Sequence, residues 1–214
     1  MLEFQLSYRR HLPHIQPPGA TLFVTFRLAG SLPQSVLEQL LAESCAAARR
    51  LNKIADLRER AKLAAIAQKQ QFDRWDKALD NSPAGPHWLR RPEIARIVAD
   101  SLHYLDGERY DLDCYCLMSN HGHVVFTPLE KADGAFYSLS SIMHSFKRYT
   151  AWQANLTLGR QGQFWQHESY DHIVRDEAEL NRIRRYVLNN PVRAGLVETW
   201  EEWPWSFCRS SLQT

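Results

Sequence analysis

The chain predicts an α+β fold, with an antiparallel four-stranded sheet, helices on one face and a helical segment inserted after the first strand. Three observations carry this. A run rich in β-branched and aromatic residues stands near the start. Two further runs of that type are separated by only Ser119-Asn120, which leaves room for nothing but a hairpin. Most of the remaining chain has helical rather than alternating apolar spacing.

The elements follow in order. Residues 21–28, TLFVTFRL, come after Pro17-Pro18-Gly19 and predict a strand leaving a turn. From Pro33 the spacing of Val36, Leu37, Leu40 and Leu41 is helical. Residues 44–79 keep that period through Leu51, Ile54, Leu57, Ala61, Ala64 and Ala65, as one long helix or a helical hairpin. The cluster DNSPAGP, 80–86, stops it, because two prolines and a glycine cannot continue a helix. RPEIARIVADSLHYL, 91–105, is a helix with Pro92 in its first turn. YDLDCYCLM and HGHVVFTP form the hairpin. Residues 138–155 are helical, with Ile142, Phe146 and Tyr149 on one side, and GRQGQFWQ is a glycine-bearing loop. YDHIV, 170–174, is a short strand. A last helix starts at Asp176, with Glu179 as capping-box partner, and ends near Asn190 ahead of Pro191. The tail, about 198–214, carries three tryptophans in ETWEEWPWSF and is expected to pack back on the domain. The β-α-β-β-α-β order is the ferredoxin-like one.

Length and composition bound the rest. The 214 residues suit a single domain over 1–214, with a helical insertion at about 42–90. Apolar residues make up 44% and charged residues 23%, an ordinary globular balance. The net charge of +2 excludes a polycation, so any nucleic-acid surface must come from local patches such as Arg9-Arg10, Lys147-Arg148 or Arg184-Arg185. Cys45, Cys114, Cys116 and Cys208 include no CxxC pair. The start, MLEFQLSYRR, lacks an apolar leader, and no stretch approaches the ~20 apolar residues that span a bilayer. A cytoplasmic protein with reduced thiols and no membrane partner is expected.

One short stretch, MSNHGHVVFTP (118–128), raises the question of chemistry. In a strand, His121 and His123 point to the same face and Gly122 to the other, so both imidazoles can reach one cation. A third ligand must come from elsewhere. In the last helix Leu180, Ile183 and Val187 form the docking stripe. Tyr186 and Asn190 stand four apart along its edge, about 40° from each other. A phenol for attack and an amide oxygen for a metal would then sit side by side. A tyrosine can equally be a packing residue, and an asparagine before proline can be no more than a helix end.

Taken together the motifs resemble a known family. MSNHGHVVFTP is similar to the histidine motif of single-tyrosine HUH transposases. YVLNNPVRAGLV (186–197) is similar to the tyrosine-helix motif of their REP-associated branch. PPGATLFVTFRLAGSLP and GQFWQHESYDHIVRD also resemble that branch, in the same order. The resemblance covers about 8–207, broken mainly by the insertion. It implies an HUH endonuclease-type sheet and metal-dependent cleavage and strand transfer of single-stranded DNA. Tyr186 would be the nucleophile, and His121, His123 and Asn190 the ligands of Mg²⁺ or Mn²⁺. The DNA would be single-stranded or hairpin DNA from repeated extragenic palindromes, held by a monomer. Gly122 stands where the family usually has an apolar residue, which predicts a looser strand there. Ser119 stands where many relatives have proline.

The chemistry wants such a set. An ordinary phenol near pKa 10 is only about one part in a thousand phenolate at pH 7, a deficit of roughly 4 kcal/mol. A cation can polarise the phosphate and stabilise the leaving oxygen. Arg9, Arg10, Lys147, Arg148 and Arg175 are the candidate phosphate contacts, with exposed aromatics for bases. Two other readings stand beside this one. Cys114 and Cys116 could complete a structural zinc set with the histidines. The scaffold could also serve a non-catalytic nucleic-acid-binding regulator.

Overall fold

A computed structural model describes residues 17–82 and 84–209. They form two compact units, one of residues 30–85 and one of residues 17–29 with 86–209.

The first unit is a helical hairpin. Helix α1 (Gln34–Leu51) and helix α2 (Leu57–Asp80) are joined by Asn52–Asp56, so the single long period in the sequence is broken in the middle. The break is chemical. The Asp56 side chain accepts from the backbone N–H groups of Arg58 and Glu59, at 2.8 and 2.9 Å, and starts a new helix. Leu32, Leu40 and Leu79 make a small buried cluster with Val36, Leu37 and Trp75, while Arg74 and Glu43 pair at 3.3 Å.

The second unit holds the sheet. Strands β1 (Leu22–Arg27), β2 (Tyr110–Leu117), β3 (His121–Pro128) and β4 (Tyr170–Ile173) are antiparallel neighbours in the order β4-β1-β3-β2. This is the predicted ferredoxin-like arrangement. A fifth strand, β5 (Ser206–Cys208), pairs with the outer edge of β2. The tail was expected to pack back, and it does so as a strand. Leu117 donates to the Trp205 carbonyl at 2.9 Å, and the Trp203 indole donates to the Leu117 carbonyl at 2.9 Å. An edge strand left with unpaired backbone groups is a liability that this fifth strand removes.

Alternation sorts the sheet into two faces. One face presents Leu22, Val24, Phe26, Tyr115, Leu117, Val124 and Phe126. Against it pack helix α3 (Pro92–Leu105), through Ile94, Val98 and Leu102, and helix α4 (Leu139–Thr157), through Ile142, Met143 and Phe146. The other face presents Phe23, Thr25, His121, His123, Cys114 and Cys116. Helix α5 (Glu177–Leu188) lies there, with the Tyr186 ring against those of Phe23 and His123. Helices therefore cover both faces rather than one, because the Val187 and Leu188 stripe needs an apolar surface and the first face is already taken.

Two local expectations change. Pro191 does not end the last helix at Asn190. Helix α5 stops at Leu188, and a short helix α6 (Asn190–Arg193) follows with Pro191 in its first turn, where a missing N–H costs nothing. Gly122 does not loosen β3. A Cβ there would sit 2.7 Å from Phe26 Cζ and 2.9 Å from Leu117 Cδ2, so those side chains already fill the space. Among the described residues no helix is long and apolar enough to cross a membrane.

Candidate metal and nucleophile site

Strand β3 is the middle strand, and it delivers His121 and His123 to the α5 face, both fully buried. Their ring centroids are 4.9 Å apart, and a ligand nitrogen of one lies within 4.8 Å of a ligand nitrogen of the other. Each imidazole is held by its Nδ1. His121 Nδ1 is 2.7 Å from the Asn120 side-chain oxygen. An amide oxygen only accepts, so Nδ1 carries the proton and the lone pair is left on Nε2. His123 Nδ1 is 2.8 Å from the Thr25 hydroxyl on β1, its cross-strand neighbour. This is how metal-binding histidines are usually oriented, with the outer partner setting tautomer and ring direction. Neither Asn120 nor Thr25 stood out in the sequence, although the strand pairing that places Thr25 follows once the sheet order is known.

Helix α5 delivers Tyr186. Its ring meets the His123 ring edge-on at 5.6 Å and the Phe23 ring at 6.1 Å. Phe23 in turn stacks on His123 at 5.9 Å, so one phenylalanine wedges the nucleophile candidate and the ligand candidate together. The helix is tied down at both ends. Asp176 caps the Glu179 N–H at 2.7 Å, and the Glu179 carboxylate reaches back to the Arg175 N–H at 2.8 Å, one residue earlier than a standard capping box. Further along, the Arg184 guanidinium is paired with Asp113, with Nε 2.8 Å from Oδ1. Asp113 is the extra residue of a bulge in β2, which turns its carboxylate towards α5.

Asn190 follows one turn after Tyr186. Its side-chain nitrogen donates to the Tyr186 carbonyl at 2.9 Å and, more weakly, to the Val187 carbonyl at 3.4 Å. The second contact stands in for the N–H that Pro191 lacks. With the nitrogen so committed, the amide oxygen is turned away from the backbone. It is buried and has no hydrogen-bond partner among the described residues. A buried oxygen without a donor is a cost unless something else takes its lone pairs, and a hard divalent cation would. In donor chemistry, two buried imidazole Nε2 atoms and a buried amide oxygen suit a divalent cation. Arg193 of α6, not singled out in the sequence, places its guanidinium 5.4 Å from the Tyr186 ring centroid.

The other expected contacts are distributed differently. Arg9 and Arg10 lie outside the described residues. Lys147 gives its ammonium to the carbonyls of Gln166, His167 and Glu168, at 2.8, 3.1 and 3.4 Å, and so clasps the loop before β4. Arg175 grips Glu179 through Nε and Nη2 at 3.0 and 2.6 Å. Arg148 is exposed on α4. Phe164 and Trp165 are core, and the Trp165 indole donates to the Thr150 hydroxyl at 2.8 Å. Cys116 does lie across from His123. Its thiol contacts the Met118 sulfur at 3.8 Å, and no cysteine joins the two histidines in a ligand cluster among the described residues. Burial and the neighbouring Asp113 push the Cys114 thiol well up, which keeps it protonated and a poor ligand.

The fold is thus a ferredoxin-like α+β sheet with a paired-histidine strand facing a tyrosine helix. A solved structure of a REP-associated tyrosine transposase bound to a REP hairpin is similar to it in overall fold. The match has a TM-score of 0.52 over 94% of this chain and 81% of that one, at 17% identity. A curated protein of Haemophilus influenzae (strain ATCC 51907 / DSM 11121 / KW20 / Rd), "Putative REP-associated tyrosine transposase", is 26% identical over 96 residues. That match covers 42% of this chain, and the chain spans about half (54%) of the relative's length. No protein-family model matches. The resemblance to REP-associated tyrosine transposases seen in four motifs is met again in a curated relative and in a solved fold.

Proposed function

We propose that this chain is a REP-associated tyrosine transposase that cuts and rejoins single-stranded DNA at palindromic hairpins of the REP type. The observation that carries this is the edge-on contact of the Tyr186 ring with His123, made by a helix packed on the histidine face of the sheet. The hairpin bound by the structural relative supports the substrate class.

Tyr186 Oη attacks a phosphorus, the new bond forms to the tyrosine oxygen, and the 3′-hydroxyl leaves with a proton. The 5′-phosphate stays on the enzyme. One phosphodiester replaces another, so rejoining needs no nucleotide cofactor. His121, His123 and the Asn190 amide oxygen would hold the cation, and their mixed nitrogen and oxygen character suits Mn²⁺ at least as well as Mg²⁺. When bound, it polarises the phosphate and stabilises the leaving oxygen. Phe23 keeps the phenol against the imidazoles, and Arg193 offers a positive charge near a developing phenolate.

The test is a covalent adduct. Wild-type protein incubated with single-stranded palindromic DNA and Mn²⁺ gives a complex that survives denaturation. Tyr186→Phe folds and binds but gives none. An adduct in that variant would refute the assignment. Hairpin binding by wild-type protein with no adduct and no metal requirement would leave a non-catalytic regulator instead.

A further inference from the structure

We infer that the outward face of helix α4 is a second contact for single-stranded DNA, with Tyr149 and Trp152 as stacking platforms for bases. Tyr149, Trp152 and Leu156 are 50%, 61% and 68% exposed. At steps of three and four they fall within about 60° of one another on the helix. The Tyr149 and Trp152 ring centroids are 6.4 Å apart. Large exposed aromatics in a row on a helix whose other side fills the core are not explained by the fold. Packing of Leu139, Ile142, Met143, Phe146 and Ala154 secures α4 without them.

Charge selects the occupant. From Gly134 to His167 the chain has no aspartate or glutamate, while Lys147, Arg148 and Arg160 are cationic. Arg148 is exposed on α4, next to Tyr149. An acid-free stretch of chain that presents aromatic rings and a cation complements a polyanion carrying flat bases, and this is the pairing used by sequence-tolerant single-strand sites. The platform is also rigid. Ser138 caps the helix start at 3.2 Å, and Lys147 ties its middle to three loop carbonyls. Because α4 covers the sheet face opposite to α5, this contact is separate from the Tyr186 site. It rests on the reading of the chain as a single-stranded DNA enzyme, and it adds where strand outside the cleavage point is held.

The experiment measures binding of a fluorescein-labelled oligothymidylate of about 12 nucleotides by anisotropy, since that probe forms no hairpin. Trp152→Ala and Tyr149→Ala each weaken binding roughly 5- to 100-fold. The double variant falls further, and Arg148→Gln lowers the salt dependence. Thermal unfolding, unchanged for these exposed positions, shows that the variants are folded. Wild-type protein that ignores the probe, or a double variant that binds it as well as wild type, overturns the inference. So does a wild-type dimer that the double variant converts to monomer, because the stripe is then a surface for a second copy. Adduct formation by wild-type protein is a separate readout. If it is absent while the stripe variants still lose the probe, the cleavage reading fails and this contact stands. If it is present while those variants bind normally, the reverse holds.

Discussion

Asn120 shows how much of the site depends on atoms that carry no chemistry of their own. Its side-chain oxygen fixes the proton on His121 Nδ1 and leaves the lone pair on Nε2, the candidate ligand atom. Asn120→Ala is expected to lower Mn²⁺ affinity about 10- to 100-fold, while the fold is kept. Titration calorimetry with Mn²⁺ checks it, and unchanged affinity would remove the orienting role. Gly122 makes a related point for packing. Its absent Cβ is the space occupied by Phe26 and Leu117. Gly122→Val should therefore cost about 1–3 kcal/mol by overpacking, read as a lower melting temperature. A variant that melted like wild type would show that the two side chains move aside at no cost.

At the scale of elements, α5 carries the proposed nucleophile, and polar links as well as apolar burial hold it. The Arg184–Asp113 pair ties it to the β2 bulge, with both side chains mostly shielded. Asp113→Ala removes the bidentate acceptor of a shielded guanidinium, leaving it Glu177 and Asn181 through Nη1 alone, and should cost about 1.5–3 kcal/mol. Adduct formation should slow as Tyr186 loses its fixed distance to His123. Kinetics at saturating DNA, alongside thermal unfolding, separate these two effects. At the start of the helix, the Arg175 guanidinium holds Glu179 down at about 2, aided by the Arg175 N–H and His172 and opposed by burial. A carboxylate held below its ordinary value of 4.5 stabilises the fold above that value and loses the effect as pH falls towards 2. Between those limits the melting temperature of wild type should fall more steeply than that of Glu179→Gln. Parallel curves for the two proteins would show that Glu179 contributes no pH-linked stability.

For the whole sheet-bearing unit, the tail is structural rather than accessory. Strand β5 covers the β2 edge, and Arg209 joins Asp106 through Nη2 at 2.6 Å. A chain ending before Ser206 would expose the backbone of Cys114, Tyr115 and Cys116 as an open edge. That truncation should melt lower and self-associate, as light scattering on heating would show. A monomeric truncation with an unchanged melting temperature would mean that β5 adds nothing to the fold.

The sheet could be foreseen because its evidence is local. Alternation in TLFVTFRL and HGHVVFTP, a two-residue turn and a strong cap at Asp176 are each written within a few residues. The histidine pair and the four-residue step from Tyr186 to Asn190 are local in the same sense. What the sequence could not show is everything that depends on which surfaces meet. Alternation says that His121 and His123 share a face but not which helix covers it, so α5 on the second face came from tertiary structure. The same holds for β5, whose three residues are too short for a period, and for Lys147 and Arg175, whose charges look available until their partners fold against them. Residue order determined the elements and the candidate groups, because their signals span a turn or a strand. Tertiary packing alone decided that the phenol, the imidazoles and their orienting partners occupy one place, because that depends on contacts between residues up to about a hundred positions apart, such as Thr25 and His123.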